Sequence, residues 1–281
     1  MSEQTWDLIV DANDKGGRAS FKKIWQYRDL LWLLVRRDFV AFYKQTILGP
    51  LWFFLKPVFS AVVYLFVFGK LAGLSTDGIP PALFYISGIT AWSYFSETVG
   101  KTADVLRGNA AIFGKVYFPR LIMPLSIVFS NLLKLGIQLI LIVVILTYYL
   151  ITTDLVSLTP AILLLPVIVL VIAVQALGVG LFVAAISTKY RDISMLIGYV
   201  LQLGLFVAPV VYPLSSINGK FRLLVSVNPM SFPLELFRYS LFGTGTFSSQ
   251  GILYMIVSTL IILLIGLYAF NKGEKTFVDT V

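Results

Sequence analysis

The sequence predicts an all-α polytopic membrane protein: six transmembrane helices with both termini inside, an N-terminal interfacial helix, and short re-entrant helices before the last span. Three observations predict it. The 281 residues are 58% hydrophobic and 13% charged, with a mean hydropathy of +0.88, a balance that no water-soluble globule approaches. Six stretches reach the roughly 20 predominantly apolar residues that a crossing needs: about 51–71, 80–101, 121–146, 160–187, 193–212 and 251–270. The basic residues alternate between connectors, as retention of Lys and Arg on the cytoplasmic side requires. Eight precede position 50, and Lys101, Arg107, Lys115, Arg120, Lys189, Arg191, Lys272 and Lys275 fall in the other inward connectors. The outward ones hold Lys70 at a helix edge, none from Thr147 to Thr159, and Lys220, Arg222 and Arg238 in a longer final loop. The net charge of +8 therefore selects topology and touches anionic lipid rather than nucleic acid.

The composition also excludes chemistry. With neither cysteine nor histidine, disulfides, thiol nucleophiles, His-based triads and ordinary zinc sites are ruled out together. Gly69-Lys70, Gly114-Lys115 and Gly219-Lys220 lack the upstream glycine and following hydroxyl of a phosphate-binding loop. If transport is ATP-driven, another chain binds the nucleotide and its Mg²⁺, and this chain holds no cofactor.

Taken in order, residues 1–44 form a cytoplasmic arm and interfacial helix, and 45–281 the transmembrane domain. The first twenty residues are polar, with no apolar core before a small-residue cleavage site; they read as a mobile arm. From Phe21 to Lys44, apolar and basic residues alternate around a stretch (Leu30 to Val35) too short to span, which suits a helix lying in the interface, either as an anchor or as a moving gate.

In the second span Ser87, Thr90, Tyr94, Glu97, Lys101 and Asp104 recur at steps of three or four and form one polar stripe. Asn131, Lys134 and Gln138 do the same in the third. A charge near mid-membrane is costly unless paired, so Lys134 is expected to pair with Glu97 in a protein interior or to face a polar cavity. With Phe59, Tyr199, Gln202 and Phe206, these stripes supply the candidate channel lining. Flat aromatic faces with few charges suit sliding sugar rings, and a proton- or sodium-coupled carrier would show more buried carboxylates than Glu97.

Between the second and third spans, Asn109 to Phe118 reads as an amphipathic helix capped by Asn109 and stopped by Pro119. Ile112, Phe113, Val116 and Tyr117 share its apolar face and Lys115 points away. Such a helix lies on the headgroups or docks into a soluble partner. Before the last span, residues 213–250 hold two apolar pieces broken at Asn228-Pro229 and Phe232-Pro233. They are too short to cross and re-enter the membrane only where protein or a wet cavity satisfies their backbone. With Tyr212, the residues Asn228, Pro229, Phe232 and Pro233 are the candidate external gate.

Six segments, in this order, resemble the membrane subunits of bacterial polysaccharide ABC exporters of the type-two permease class: YKQTILGPLWFFLKPVF (43–59), KVYFPRLIMPLS (115–126), STKYRDI (187–193), APVVYP (208–213), NPMSFPLELFR (228–238) and EKTFVDTV (274–281). The resemblance implies a homodimer with two cytoplasmic ATPase subunits, a channel between the two halves, and export of a lipid-linked glycan of the O-antigen kind, with capsule or teichoic acid as alternatives. It also implies a gate helix at about Ile24 to Val35, including Trp25, Tyr27, Arg28, Leu31 and Trp32. Asn109 to Phe118, with Pro119 and Arg120, becomes an ATPase-coupling helix. An integral-membrane enzyme acting on lipid-linked sugars would need a clustered acid or base at an aqueous loop, and Asp192 beside Arg191 or Glu235 beside Arg238 read instead as helix-end ion pairs.

Overall fold

The computed structural model describes residues 21–278 other than 114, 154, 158, 191, 246 and 247. The arm expected over 1–20, Gly114 of the coupling segment and Arg191 of the Tyr-Arg-Asp loop lie outside the described residues. Within them every regular element is helical. The chain runs α1 (Phe21–Gln26), α2 (Arg28–Tyr43), α3 (Trp52–Tyr64), α4 (Pro81–Ala103), α5 (Val105–Gly108), α6 (Ala110–Phe113), α7 (Ile122–Thr152), α8 (Leu165–Ser187), α9 (Ile193–Val207), α10 (Gly219–Val227), α11 (Ser231–Phe242) and α12 (Ser249–Val278).

Four helical stretches among the described residues are long and apolar enough to cross a membrane: Gly49–Leu71, Ile122–Thr152, Pro160–Ser187 and Ser249–Glu274. The first is α3 continued by wide π turns over Leu65–Leu71. The fourth expected span, residues 160–187, begins as a tight turn at Pro160–Leu164. Two expected spans fall outside that class for different reasons. α4 has 23 residues, but its polar stripe dilutes its hydropathy, and sixteen of its residues are buried: neighbouring helices, not lipid, cover it. α9 stops at Val207, fifteen residues long, because Ala208 turns extended ahead of Pro209, as a residue before proline tends to.

α8 packs between α4 and α12. Glycines make the contact close: a side chain on Gly180 would lie 2.6 Å from Thr102 Cβ, and one on Gly266 would overlap the Gly178 backbone. Lipid supplies no hydrophobic drive between helices, so close approach of small residues is what holds such a pair.

The connectors gather at two opposite ends. At one, Leu34, Leu106, Phe118, Ile122, Leu181 and Phe270 bury one another, joining α2, the α5–α7 connector and the ends of α8 and α12. At the other, Ser215 Oγ donates to Asp77 Oδ2 at 2.5 Å, and Gly243 abuts Thr159. The grouping follows the alternation of basic and basic-poor connectors.

Candidate functional site

Helix covers Phe21–Tyr43, close to the stretch expected from Phe21 to Lys44 and reaching beyond the gate portion at Ile24 to Val35, and is broken once. α1 and α2 meet at Tyr27 (φ −99°, ψ 21°), and α2 continues to Tyr43. Trp25 and Trp32 are exposed and Arg28 lies over the Trp25 ring at 5.6 Å. Tyr27 and Leu31 turn inward against the hub formed around Phe118. The expected gate residues therefore divide into an outer set (Trp25, Arg28, Trp32) and an inner pair. α2 rises along α7: Leu34 and Val35 are buried, and the far end stacks on α3, with Phe42 and Phe53 centroids 4.7 Å apart.

Above that stack lies a cluster only partly visible in the sequence. Lys134 Nζ stands 3.4 Å from Glu97 Oε2, the pair expected, and 4.2 Å from the centre of the Phe42 ring. Glu97 Oε1 also takes Lys56 Nζ at 2.9 Å. Lys101 donates to Asn131 Oδ1 at 3.4 Å, and Asn131 Nδ2 to Thr98 Oγ1 at 3.0 Å. Gln138 donates to the Phe53 carbonyl at 3.4 Å. One carboxylate thus serves lysines from α3 and α7, and a ring of α2 covers one of them. Lys56 was legible as a charge inside an apolar run, and Phe42 carried no signal beyond its place after the basic pair Arg36 and Arg37. Glu97→Gln leaves two lysines without their counter-charge. We expect a loss of stability toward the low end of roughly 3–5 kcal/mol, because Glu97 is a third exposed. Lys56→Ala, at an exposed site, should cost under about 1 kcal/mol; thermal unfolding in detergent checks both.

The other candidate lining residues separate by burial. Ser87 and Thr90 are fully enclosed, and Tyr94 and Asn131 nearly so, so the upper half of the α4 stripe faces the chain's own helices and lines no open surface of this subunit. Phe59, Tyr199 and Phe206 are 59%, 68% and 47% exposed, and Gln202 is exposed with them. α9 buries none of its residues, which leaves a broad face of Tyr199, Leu203 and Phe206 uncovered.

The coupling segment corrects the expected helix. α6 is a single turn, Ala110–Phe113, and residues 116–119 carry no regular secondary structure. Asn109 does not cap it: its Nδ2 donates to the Val105 carbonyl at 2.9 Å and closes the end of α5 instead. The expected apolar face splits. Ile112 and Phe113 pack on the Phe118 hub, with Phe113 and Phe118 centroids 5.6 Å apart. Val116 and Tyr117 point out, 57% and 71% exposed, beside exposed Lys115. The proximity of Pro119 disfavours helix in Phe118, and the burial of Phe118 fixes the irregular exit from α6. Arg120 reaches back across the end of α12, with Nη1 2.8 Å from the Glu274 carbonyl and Nε 3.7 Å from Glu274 Oε1. It ties the connector to the last span.

The external region is built around α11. Asn228-Pro229 does break the chain: Asn228 Oδ1 accepts from Met230 N at 3.0 Å. Phe232-Pro233 does not, because Pro233 sits in the first turn of α11, where its missing N–H is needed by no partner. Ten of the twelve α11 residues are buried, so the helix is inserted among α4, α8 and the Pro160 turn and is no surface ornament. Its core is an ion pair, Arg238 Nη1 to Glu235 Oε1 at 3.7 Å, each side chain 2% exposed. This pair is buried mid-helix, not at a helix end as expected. Arg238 donates to the carbonyls of Pro209 and Val210 at 2.6 Å each and lies 3.8 Å from the Phe84 ring centre. Glu235 Oε1 accepts from Leu214 N at 3.0 Å. Between them the two side chains hold the turn after α9, whose last carbonyls also accept from Tyr212 OH at 2.8 and 3.2 Å. Gln175 of α8 donates to Pro229 O at 3.2 Å and Thr259 Oγ1 at 2.9 Å, pinning the break to α12. Phe232 lies against Gly251, where a side chain would overlap its ring.

The sequence is similar to those of known proteins along most of its length. The chain is 27% identical over 264 residues to the O-antigen export system permease protein RfbA of Myxococcus xanthus, covering 92% of this chain and 98% of that one. It is 26% identical over 251 residues to the protein of that name from Klebsiella pneumoniae, covering 89% and 94%. With the polysialic acid transport protein KpsM of Escherichia coli it shares 21% over 242 residues, 83% of this chain and 89% of the relative. Residues 29–242, running from α2 to the end of α11, match the ABC-2 type transporter family, and the chain is a membrane protein of that family.

Proposed function

We propose that the chain is the channel-forming membrane subunit of an ATP-driven exporter that moves a lipid-linked polysaccharide, most like an O-antigen, out of the cytoplasm. The observation that carries this is end-to-end similarity: O-antigen export permeases align over nine-tenths of both chains. The relative that transports polysialic acid covers less at lower identity, which places capsule-type polymers second.

In this reading α4 and α9 join the four apolar stretches to make six crossings. α4 rises about 34 Å, enough for a roughly 30 Å core, and can be polar because protein surrounds it. The hub around Phe118 lies inside and α11 outside, with both termini in the cytoplasm. The chain pairs with a second copy, and the uncovered aromatic face of α9 with Phe59 borders the path between the copies. Two ATPase subunits, which bind ATP and Mg²⁺, dock against Lys115, Val116 and Tyr117. ATP drives export by binding one arrangement of the partners more tightly than the other. Phe118, Arg120 and Glu274 pass that bias from the connector to α12, while α2 and α11 serve as the inner and outer gates.

Affinity purification of the intact chain from cells expressing the ATPase, paired with export in vesicles, tests it. The two chains should copurify, and export should stop when the ATPase is inactivated. Export that continues without a working ATPase would overturn the reading.

A further inference from the structure

We propose that the groove between the ends of α8 and α12 nearest the Phe118 hub binds an anionic phospholipid, and that Lys189 and Lys272 hold its phosphate. The groove has a volume of about 360 Å³ and is walled by Phe182, Ile186, Ile265 and Tyr268, with the two lysines at its rim. Its floor is fixed: Gly273 lies so close to Ala185 that a side chain there would stand 3.0 Å from Ala185 Cα. Lys189 and Lys272 both border this groove.

Lys272 stands at the membrane edge. Between Ser249 and Lys272 helix α12 rises about 35 Å, a little beyond a hydrocarbon core of roughly 30 Å. One turn back toward the membrane centre, Tyr268 takes the place that interfacial aromatics favour.

Charge selects the occupant. Among the described residues no carboxylate lines the groove and neither lysine makes an ion pair, whereas Arg37 and Arg120 each hold an acid. Glu274, the nearest acid along α12, is turned to Arg120. Lys189 rests over the Tyr190 ring at 5.2 Å, which leaves its ammonium to an anion. Below the rim the apolar wall continues along exposed Ile265, Leu264 and Ile261, a track for an acyl chain. Phosphate above and hydrocarbon below describe a phospholipid, and they exclude a free nucleotide or sugar phosphate, which would leave the wall uncovered. The inference needs the two lysines at a membrane edge and does not depend on what the protein exports.

The test is lipid retention by the full-length chain in detergent, read by native mass spectrometry with phosphatidylglycerol or phosphatidylcholine added. Two lysines at the headgroup level should favour phosphatidylglycerol roughly thirty-fold, and added salt should erode the preference. Lys189→Gln with Lys272→Gln should abolish it, Lys189→Arg with Lys272→Arg should keep it, and Phe182→Ala should weaken both lipids alike. Equal retention of the two lipids by the wild-type chain, or undiminished phosphatidylglycerol on the glutamine variant, overturns the proposal. So does a loss of dimer confined to the glutamine variant, which would make the occupant a second copy.

Discussion

Replacing Arg238 with alanine is expected to destabilise the chain by roughly 3–5 kcal/mol, because it strips a buried carboxylate of its partner and two carbonyls of their donor. The carbonyls of Pro209 and Val210 belong to the turn that ends α9, and water does not reach them there. Arg238→Lys should recover only part of the loss, since a single ammonium does not reproduce the two-pronged grip. Gly88→Ala should mimic the defect from the opposite wall, because the new methyl would overlap the guanidinium and crowd the Val210 carbonyl at 2.9 Å. Thermal unfolding of the solubilised protein reads all three. A melting temperature for Arg238→Ala within a degree or so of wild type would show that the guanidinium does not hold the turn.

The second large effect concerns the connector, and here the structure divides what the sequence treats as one surface. Tyr117→Asp, exposed and outside the hub, should insert and fold normally. Yet export per ATP hydrolysed should fall roughly ten- to a hundred-fold, the span of typical coupling energies. Phe113→Asp should instead lower the yield of folded protein, because its ring packs on Phe118 and a carboxylate there would lose its hydration. Measuring ATPase rate, export and thermal stability on both variants separates the outcomes. If Phe113→Asp is stable and uncoupled while Tyr117→Asp exports normally, the docking face has been assigned to the wrong pair.

Individual elements show why some of the fold was legible and some was not. Apolar runs long enough to span were readable because chain length and the thickness of a bilayer fix them independently of neighbours. The break at Asn228-Pro229 was readable because it is local, whereas the same reasoning misplaced one at Phe232-Pro233, since proline's cost depends on where in the helix it falls. Periodicity over Ile112, Phe113, Val116 and Tyr117 suggested a helix of ten residues. Burial of Phe118 ahead of a proline outweighed that periodicity, because a marginal amphipathic turn gains less from propensity than from packing.

The sequence by itself determined that this is a helical membrane protein without thiol or imidazole chemistry, and that Lys134 would need either Glu97 or a polar cavity. Each follows from composition or from the cost of a charge in lipid. Tertiary structure alone decided that Lys56 shares that carboxylate, that Phe42 covers Lys134, and that Arg238 closes a network over Pro209 and Val210. It also decided that Val116 and Tyr117, rather than Ile112 and Phe113, face outward. These depend on segments brought together from distant parts of the chain, and helical periodicity reports which residues share a face without reporting what that face meets.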